Sequence, residues 1–293
     1  MKLRDLGEEG LIRRIAQTIP AGPRVVKGIG DDCAVLWGSG RMHRLFASDM
    51  LVEGVHFTRK MSAEGIGWKA LAVNVSDVAA MGGLPRQAVI SVGFPPSTQV
   101  SFVDRLYRGL RRCARAYGVD LVGGDTNRAS RVVIDVAILG EVEKSRVVYR
   151  SGARPGDALL VTGRLGGSLR SGRHLRFRPR VREARLLGSK AKLHAMIDLS
   201  DGLGPDLAKL CGASGVSARL DPAALPRHAG CSTEQALSDG EDFELLIAAA
   251  PRDARRLLAW AGKNLACGLH RIGVVVARSG TKRPRRPRGF RHF

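Results

Sequence analysis

The stretch Trp68–Met81, WKALAVNVSDVAAM, is apolar on almost every side of a helix, yet it carries a carboxylate, Asp77, in its second half. A helix that is apolar all round is buried in the core. A carboxylate in such a helix costs several kcal/mol unless it is paired or bound to a metal ion. Asn74 lies three residues before Asp77 and therefore on the same face. The stretch predicts a central buried helix that carries part of a functional site.

Short apolar runs and helical stretches alternate on both sides of this helix, which predicts an α/β (α+β) fold. Ser62 is a suitable N-cap for the helix, and Gly82 and Gly83 are suitable residues to end it. Strands are predicted at Ala34–Trp37, Arg44–Ala47, Gln87–Gly93, Asp120–Val122, Val132–Val142, Ala158–Thr162, Val216–Leu220, Phe243–Ala249 and Ile272–Ala277, and further helices near the N-terminus and at Val100–Tyr117, Leu203–Cys211 and Asp253–Leu265.

Turn-forming residues in Ser145–Gly156 follow a long predicted strand and indicate a domain boundary. The chain of 293 residues then divides into a domain of residues 1–145 and a domain of residues 146–293. Both have a normal domain size.

The chain has 48 basic and 27 acidic residues and a net charge of +21. The basic residues are dispersed along helices, and no RNA-reading signature accompanies them, so nucleic-acid binding as the main function is not expected. No apolar stretch is long enough to cross a bilayer, which predicts no membrane association. Five cysteines, odd in number and without a CxxC pair, argue against a disulfide framework or a structural zinc site and predict a cytoplasmic protein.

Six short glycine-containing segments hold close to half of the acidic residues and no lysine or arginine. Carboxylates without basic residues in the same segment are available to bind hard metal ions such as Mg²⁺, and several such segments indicate more than one ion. The segments are Gly28–Leu36, Ser48–Phe57, Asn74–Gly83, Gly123–Asn127, Met196–Leu203 and Ser238–Leu246.

Three of these segments indicate particular kinds of binding site. In Gly28–Leu36 the adjacent Asp31 and Asp32 precede a strand, so only one of them should face a given pocket. Gly123–Asn127, GGDTN, is typical of a turn that cradles a phosphate. Met196–Leu203, MIDLSDGL, places acids where a strand leads into a helix, a setting suited to a metal–phosphate complex. No Ser–His or Cys–His pairing is visible, so we expect no nucleophile and no acid–base residue.

The ordered motifs GIGDD, SDMLVEGVHF, ALAVNVSDVAAMG, GGDT, RSGARPGD, IDLSDGL and GEDFELL resemble those of the thiamine-monophosphate kinases. This family belongs to the superfamily of aminoimidazole ribonucleotide synthetase and selenophosphate synthetase. The resemblance implies a two-domain synthetase-like fold, in which the N-terminal domain contributes to a β-barrel shared by a homodimer and the C-terminal domain is α/β. It also implies direct in-line transfer of the ATP γ-phosphoryl group to thiamine monophosphate, with several Mg²⁺ ions.

The same resemblance assigns roles to individual residues. Ala47 stands where many members have serine, and the segment 163–195 is shorter than usual and rich in arginine. The implied roles are metal binding for Asp32, Ser48, Asp49, Asp77, Asp125, Asp198 and Asp201, nucleotide binding for Tyr107, Gly124, Asp125, Arg150 and Ser200, and binding of the thiamine moiety for His56, Glu241 and Phe290.

Two alternative functions remain open from the sequence. One is another ATP-dependent synthetase of the same superfamily, although selenide chemistry would require a reactive cysteine before the first motif, and Cys33 lies inside it. The other is a basic RNA-binding protein on a degenerate enzyme scaffold, which would show salt-sensitive RNA affinity and no turnover of Mg-ATP.

Overall fold

The structure is a computed structural model and describes residues 2–278. The predicted substrate residue Phe290 lies outside the described residues. Within residues 2–278, no helix is both long and apolar enough to span a bilayer. The helices are α1 (Leu3–Thr18), α2 (Ala63–Ala80), α3 (Val100–Tyr117), α4 (Ser168–Ser171), α5 (Val181–Lys190), α6 (Leu203–Ser214), α7 (Thr233–Ser238) and α8 (Pro251–Asn264).

Two sheets organise the chain. The strands are β1 (Val25–Lys27), β2 (Ala34–Trp37), β3 (Met42–Val52), β4 (Leu84–Phe94), β5 (Asp120–Arg128), β6 (Val133–Glu143), β7 (Ala158–Thr162), β8 (Ala195–Asp198), β9 (Ser217–Leu220), β10 (Leu245–Ala249) and β11 (Leu269–Val276). The first sheet has six strands in the order β1-β2-β3-β6-β4-β5, and the second has five in the order β8-β10-β7-β11-β9. Neighbouring strands are antiparallel except for the parallel pair β4–β5.

The first sheet buries one face and exposes the other. In β3, His43, Leu45 and Leu51 are buried, whereas the alternating residues Phe46 and Met50 are exposed. Helices α2 and α3 cover the buried face, and their side chains share one core with those of the strands. The opposite face of the sheet therefore presents apolar side chains to solvent.

Helix α2 is the centre of the structure, as its sequence predicts. Of its 18 residues, all except Glu64 and Asp77 are buried. The Ser62 hydroxyl accepts a hydrogen bond from the Gly65 N–H at 3.3 Å, and Gly82 follows the helix with a φ of 72°, so the predicted N-cap and end of α2 are confirmed. The helix contacts strands of the first sheet on one side and α5 and β8 of the second half on the other.

Two glycines bring α2 and α3 unusually close. A Cβ atom added at Gly67 would overlap the carbonyl oxygen of Leu106, and one added at Gly109 would overlap the carbonyl oxygen of Glu64. Backbone therefore meets backbone where the helices cross, and no side chain larger than hydrogen is accommodated at either position.

The predicted α/β fold with two domains is confirmed, although the boundary at residues 145 and 146 stays a prediction. Each of the nine predicted strands is present, and β3, β4 and β5 are longer than predicted because their polar residues continue the ladder. The strand β1 has only three residues and was not predicted. The helix predicted near the N-terminus forms as α1, but none of its residues is buried.

Candidate active site

Three predicted metal ligands from separate parts of the chain come together. Asp32 precedes β2, Asp77 lies on α2, and Asp198 ends β8. One ligand oxygen from each carboxylate lies within 4.8 Å of the others. The central helix and both sheets thus contribute one residue each, and we call these three residues the acidic cluster.

Burial and mutual repulsion shape the electrostatics of the acidic cluster. Desolvation raises the pKa of Asp77 well above its ordinary value, and the charges of Asp49, Asp198 and Asp32 raise it further. Desolvation likewise raises the pKa of Asp198, followed by the charge of Asp32. The Ser76 hydroxyl donates to Asp198 Oδ2 at 2.6 Å, which favours the ionised form. A cation among the three carboxylates would relieve this repulsion.

The residues present fit a divalent cation such as Mg²⁺. Asp32 Oδ2 is buried and accepts no hydrogen bond within the described part of the chain, so it has a free coordination position directed into the protein. Carboxylate oxygens are the protein ligands that Mg²⁺ prefers, usually one or two per ion, with water or phosphate oxygens completing the shell. The acidic cluster could therefore hold metal together with a phosphate ligand.

Arg150 is paired with one member of the acidic cluster, Asp32. Its Nη2 donates to Asp32 Oδ1 at 2.7 Å, and its backbone N–H donates to Asp31 Oδ1 at 3.0 Å. Despite desolvation, the neighbouring carboxylates, Asp32 first, raise the pKa of Arg150, so the guanidinium stays charged. Burial and the charge of Asp32 raise the pKa of Asp31 to about 6. Arg150 thus contacts both adjacent aspartates, Asp31 through its backbone and Asp32 through its guanidinium, and of the two only Asp32 belongs to the acidic cluster.

Asp49 and Ser48 lie on opposite faces of β3. The Asp49 backbone N–H donates to Asn74 Oδ1 at 3.1 Å, and the charge of Asp49 acts on Asp77 across the buried face. Ser48 points to the exposed face, where its hydroxyl donates to Asp135 Oδ1 at 2.9 Å. The structure therefore brings Asp49 to the acidic cluster but does not bring Ser48 there. Asp135 was not predicted, because β6 reads as an apolar strand.

Asp201 belongs to a separate group at the start of α6. Lys209 Nζ lies 2.6 Å from Asp201 Oδ2 and 2.9 Å from Asp206 Oδ1. Burial raises the pKa of the fully buried Asp206 to about 6, and the two carboxylates raise the pKa of Lys209. Asp206 was missed, although its spacing of three residues from Lys209 on a helix is a recognisable signal.

Gly124 and Asp125 lie in β5 and not in a phosphate-cradling turn, so that prediction was wrong. The strand pairs in parallel with β4, and its ladder shifts register between Ala88 and Val89. Gly124 has a φ of 152°, and a Cβ atom there would overlap the carbonyl oxygen of Ile90, so the position requires glycine. Asp125 is exposed and caps the N–H of Thr126 at 2.8 Å.

Two further predicted nucleotide residues, Tyr107 and Ser200, differ in their surroundings. Tyr107 on α3 is half-buried and packs against the core of the first sheet. Ser200 follows β8, and its carbonyl oxygen accepts a hydrogen bond from the Glu241 N–H at 2.7 Å. The backbone after Asp198 is thus joined directly to the predicted substrate loop.

The predicted substrate residues His56 and Glu241 approach each other through a shared lysine. Lys69 Nζ donates to the His56 carbonyl oxygen at 3.1 Å and to Glu241 Oε1 at 2.8 Å. His56 Nδ1 accepts the Val52 N–H at 2.9 Å, which leaves the proton on Nε2. Glu241 and Phe243 have positive φ values of 59° and 50°, a strained backbone of the kind that clusters at functional sites.

Replacing Asp242 with asparagine should flatten the pH dependence of stability. Burial raises the pKa of Asp242 to about 7, while its Oδ2 accepts the Gly166 N–H at 2.8 Å. This pKa exceeds the unfolded value of about 3.9. The contribution of the protonated Asp242 carboxyl to the free energy of unfolding is therefore fully present below pH ~4 and is lost as pH rises through ~7. Asparagine keeps the acceptor but does not titrate.

Urea unfolding of the Asp242→Asn variant and the unsubstituted protein at pH 5 and pH 7.5 measures this effect. We expect the free energy of unfolding to fall with pH by a few kcal/mol less in the variant, at about 1.4 kcal/mol per pKa unit. An equal fall in both proteins would show that Asp242 is ionised in the folded state throughout this range.

Comparison with known proteins agrees with this geometry. Residues 30–142 match the family described as AIR synthase related protein, N-terminal domain, and residues 154–283 match the corresponding C-terminal domain. A thiamine-monophosphate kinase of Rhodopirellula baltica is 37% identical over 277 residues, covering 88% of this chain and 86% of the relative. That of Aquifex aeolicus is 38% identical over 278 residues, covering 84% and 87%.

A solved structure, AaThiL complexed with AMPPCP and TMP, superimposes with a TM-score of 0.86 at 34% sequence identity. The match covers 100% of this chain and 99% of that one. Fold, sequence and motif order therefore agree along nearly the whole chain. The chain belongs to the thiamine-monophosphate kinase family, within the AIR synthase related proteins.

Proposed function

We propose that this protein transfers the γ-phosphoryl group of ATP to the phosphate of thiamine monophosphate, giving thiamine diphosphate and ADP. The observation that carries the proposal is the convergence of Asp32, Asp77 and Asp198 beside Arg150. Such an arrangement of carboxylates and a guanidinium suits a metal-bound polyphosphate. Relatives that share at least a third of the sequence bear the name of this activity.

The chain's own residues would act by binding and orientation. Asp32, Asp77 and Asp198, with Asp49 beside them, would hold Mg²⁺, and Arg150 would meet phosphate oxygens. When bound, Mg²⁺ supplies charge neutralisation on the phosphate oxygens. The acceptor phosphate is already a nucleophile near neutral pH, so no general base is required, which agrees with the lack of a nucleophile–base pair among the motifs.

The roles implied for the remaining residues are part of the same proposal. Asp201, which is paired with Lys209 in this structure, and the exposed Asp125 would join the metal or nucleotide site only with the ligands bound. Gly124, Ser200 and Tyr107 would contact the nucleotide. Ser48 would bind metal from the exposed face of β3. His56 and Glu241 would contact the thiamine moiety.

Incubation of the purified protein with Mg-ATP and thiamine monophosphate tests the activity. We expect stoichiometric thiamine diphosphate and ADP, separated by chromatography. Unphosphorylated thiamine is the matched control, because its hydroxyl, unlike the phosphate of thiamine monophosphate, needs a general base to become a nucleophile. Product from thiamine, or no product from thiamine monophosphate at any Mg²⁺ concentration, would refute the proposal.

We further propose that the protein is a homodimer formed through the exposed face of the first sheet. Phe46 and Leu139 are directly opposed on β3 and β6, with exposed fractions of 45% and 36%. Met50, Val89 and Val122 are also exposed, at 54%, 39% and 61%. An apolar sheet face of this extent marks an interface, and a second copy of the same sheet would cover it with like surface.

A Met50→Glu variant should dissociate the proposed dimer, because it buries a charge at the centre of an apolar interface. Sedimentation velocity measures the oligomeric state directly. Val100→Glu is the control, since Val100 is 75% exposed at the start of α3, away from this face. Equal sedimentation of both variants as dimers would contradict the proposed interface.

We also propose a reducing compartment, the cytoplasm, as the location. All five cysteines are free thiols, and four of them are buried. Burial raises the pKa of Cys33 and Cys113, which keeps these thiols protonated and unreactive.

A further inference from the structure

Lys69 on α2 is among the most deeply buried charged side chains in the described part of the protein. Its exposed fraction is 1%, whereas lysine is almost never fully buried unless it is paired. Its Nζ lies 2.6 Å from Glu241 Oε2, donates to Glu241 Oε1 and also donates to the His56 carbonyl oxygen. No motif of the acidic segments accounts for this residue.

The position of Lys69 joins three parts of the chain that are distant in sequence. His56 lies in the loop after β3, Lys69 on the central helix, and Glu241 in the loop before β10. The two residues proposed to contact the thiamine moiety thus share one ammonium group as their common anchor. Because Lys69 is sealed from solvent, the ammonium acts on these residues and does not reach the substrate.

The carboxylate of Glu241 depends on this anchor for its direction. The backbone at Glu241 is held with a positive φ by the Ser200 carbonyl oxygen, which accepts its N–H, and by the Ser168 hydroxyl, which donates to its carbonyl oxygen at 2.6 Å. These contacts fix the backbone but leave the side-chain torsions free. Lys69 is the side chain that fixes the carboxylate itself.

The nearby imidazole of His174 does not supply a second positive charge for Glu241. His174 is 2% exposed, and burial together with the charge of Lys69 lowers its pKa, so it stays neutral. Its Nδ1 lies 3.3 Å from the Ser168 carbonyl oxygen. The ammonium of Lys69 is therefore the cation on which the charge of Glu241 depends.

We propose that Lys69 is a positioning residue for the thiamine end of the substrate, holding the His56 loop and the Glu241 carboxylate in one arrangement. The inference rests on the proposed function. It separates two tasks in space: the acidic cluster serves phosphoryl transfer, and Lys69 serves recognition of the acceptor. Loss of Lys69 should therefore weaken binding of thiamine monophosphate without slowing the bound reaction.

Steady-state kinetics of a Lys69→Met variant test the proposal. We expect the KM for thiamine monophosphate to rise about ten- to a hundredfold, as loss of a charged hydrogen bond implies. The KM for ATP and kcat should stay within about twofold. Lys263→Met, the same change at an exposed position of α8, should leave all three parameters unchanged. An unchanged KM for thiamine monophosphate, or an equal rise in both KM values, would overturn the proposal.

A double-mutant cycle with Glu241→Gln keeps the test decisive if Lys69→Met folds poorly. Removing both partners of a buried ion pair leaves no uncompensated charge. In the Glu241→Gln background, Lys69→Met should raise the KM for thiamine monophosphate much less than in the unsubstituted protein, because only the contact with the His56 loop remains to be lost. Additive effects would show that Lys69 acts independently of Glu241. Inactivity of the unsubstituted protein would refute the proposed function and the inference with it, whereas an active protein with an unchanged KM in the Lys69→Met variant would refute this inference alone.

Discussion

Asp77→Asn is expected to reduce thiamine diphosphate synthesis by about a hundredfold or more and to raise the thermal stability of the metal-free protein. The loss of rate follows because metal-assisted charge stabilisation supplies several kcal/mol, and each 1.36 kcal/mol corresponds to a factor of ten. The gain in stability follows because Asp77 now faces the charges of Asp49, Asp198 and Asp32. Removing one charge relieves that repulsion.

Two measurements on the same samples separate these effects. Initial rates with Mg-ATP give the loss of turnover, and thermal unfolding with and without Mg²⁺ gives the stability. We expect Mg²⁺ to raise the Tm of the unsubstituted protein and to raise that of the variant much less. Asp104→Asn, at an exposed position of α3, serves as the control and should change neither quantity. Full turnover of the Asp77→Asn variant would show that Asp77 is not a metal ligand.

The second large effect is expected from Gly109→Ala, which should destabilise the protein by about 3 kcal/mol. The added Cβ would overlap the carbonyl oxygen of Glu64 on α2. This obstacle is backbone within a helix and cannot rotate away, so the two helices would have to separate. Since α2 also carries Asp77, turnover should fall together with stability.

Denaturant unfolding measures this effect, and the chain offers a matched control. Gly262 lies in α8, and a Cβ atom there would meet no atom within 4 Å. Gly262→Ala should therefore stabilise the protein by about 0.5–1 kcal/mol, the usual gain from replacing glycine in a helix. Destabilisation of the same size in both variants would mean that helix geometry, and not the close approach of α2 and α3, determines the loss.

Local sequence patterns predict the parts of this protein that follow from one segment alone. The bounds of α3 and the cap of α2 follow from apolar periodicity and from Ser62. The presence of Asp77 in an apolar helix predicts a functional carboxylate, because burying an unpaired carboxylate costs free energy that a purely structural role would not recover. These features depend on neighbours within a few residues, which the sequence displays directly.

Features that depend on distant partners were not predictable in the same way. The acidic segments contain no basic residue, but Arg150, Lys69 and Lys209 reach Asp32, Glu241 and Asp201 from outside them. The contrast between Ser48 and Asp49 depends on which face of β3 is covered. The extended conformation of GGDTN depends on its pairing with β4, which overrides the turn preference of the glycines.

The position of α2 has a consequence for how the chain is made. Residues from the second half, Phe177, Val181 and Phe243, complete the core around α2, and Ala80 at its end belongs to the core of the second half. Helix α2 leaves the ribosome about a hundred residues before β8 is available to cover it, in an order fixed by synthesis from the N-terminus. The first half alone therefore leaves part of the apolar surface of α2 uncovered until the second half has been synthesised.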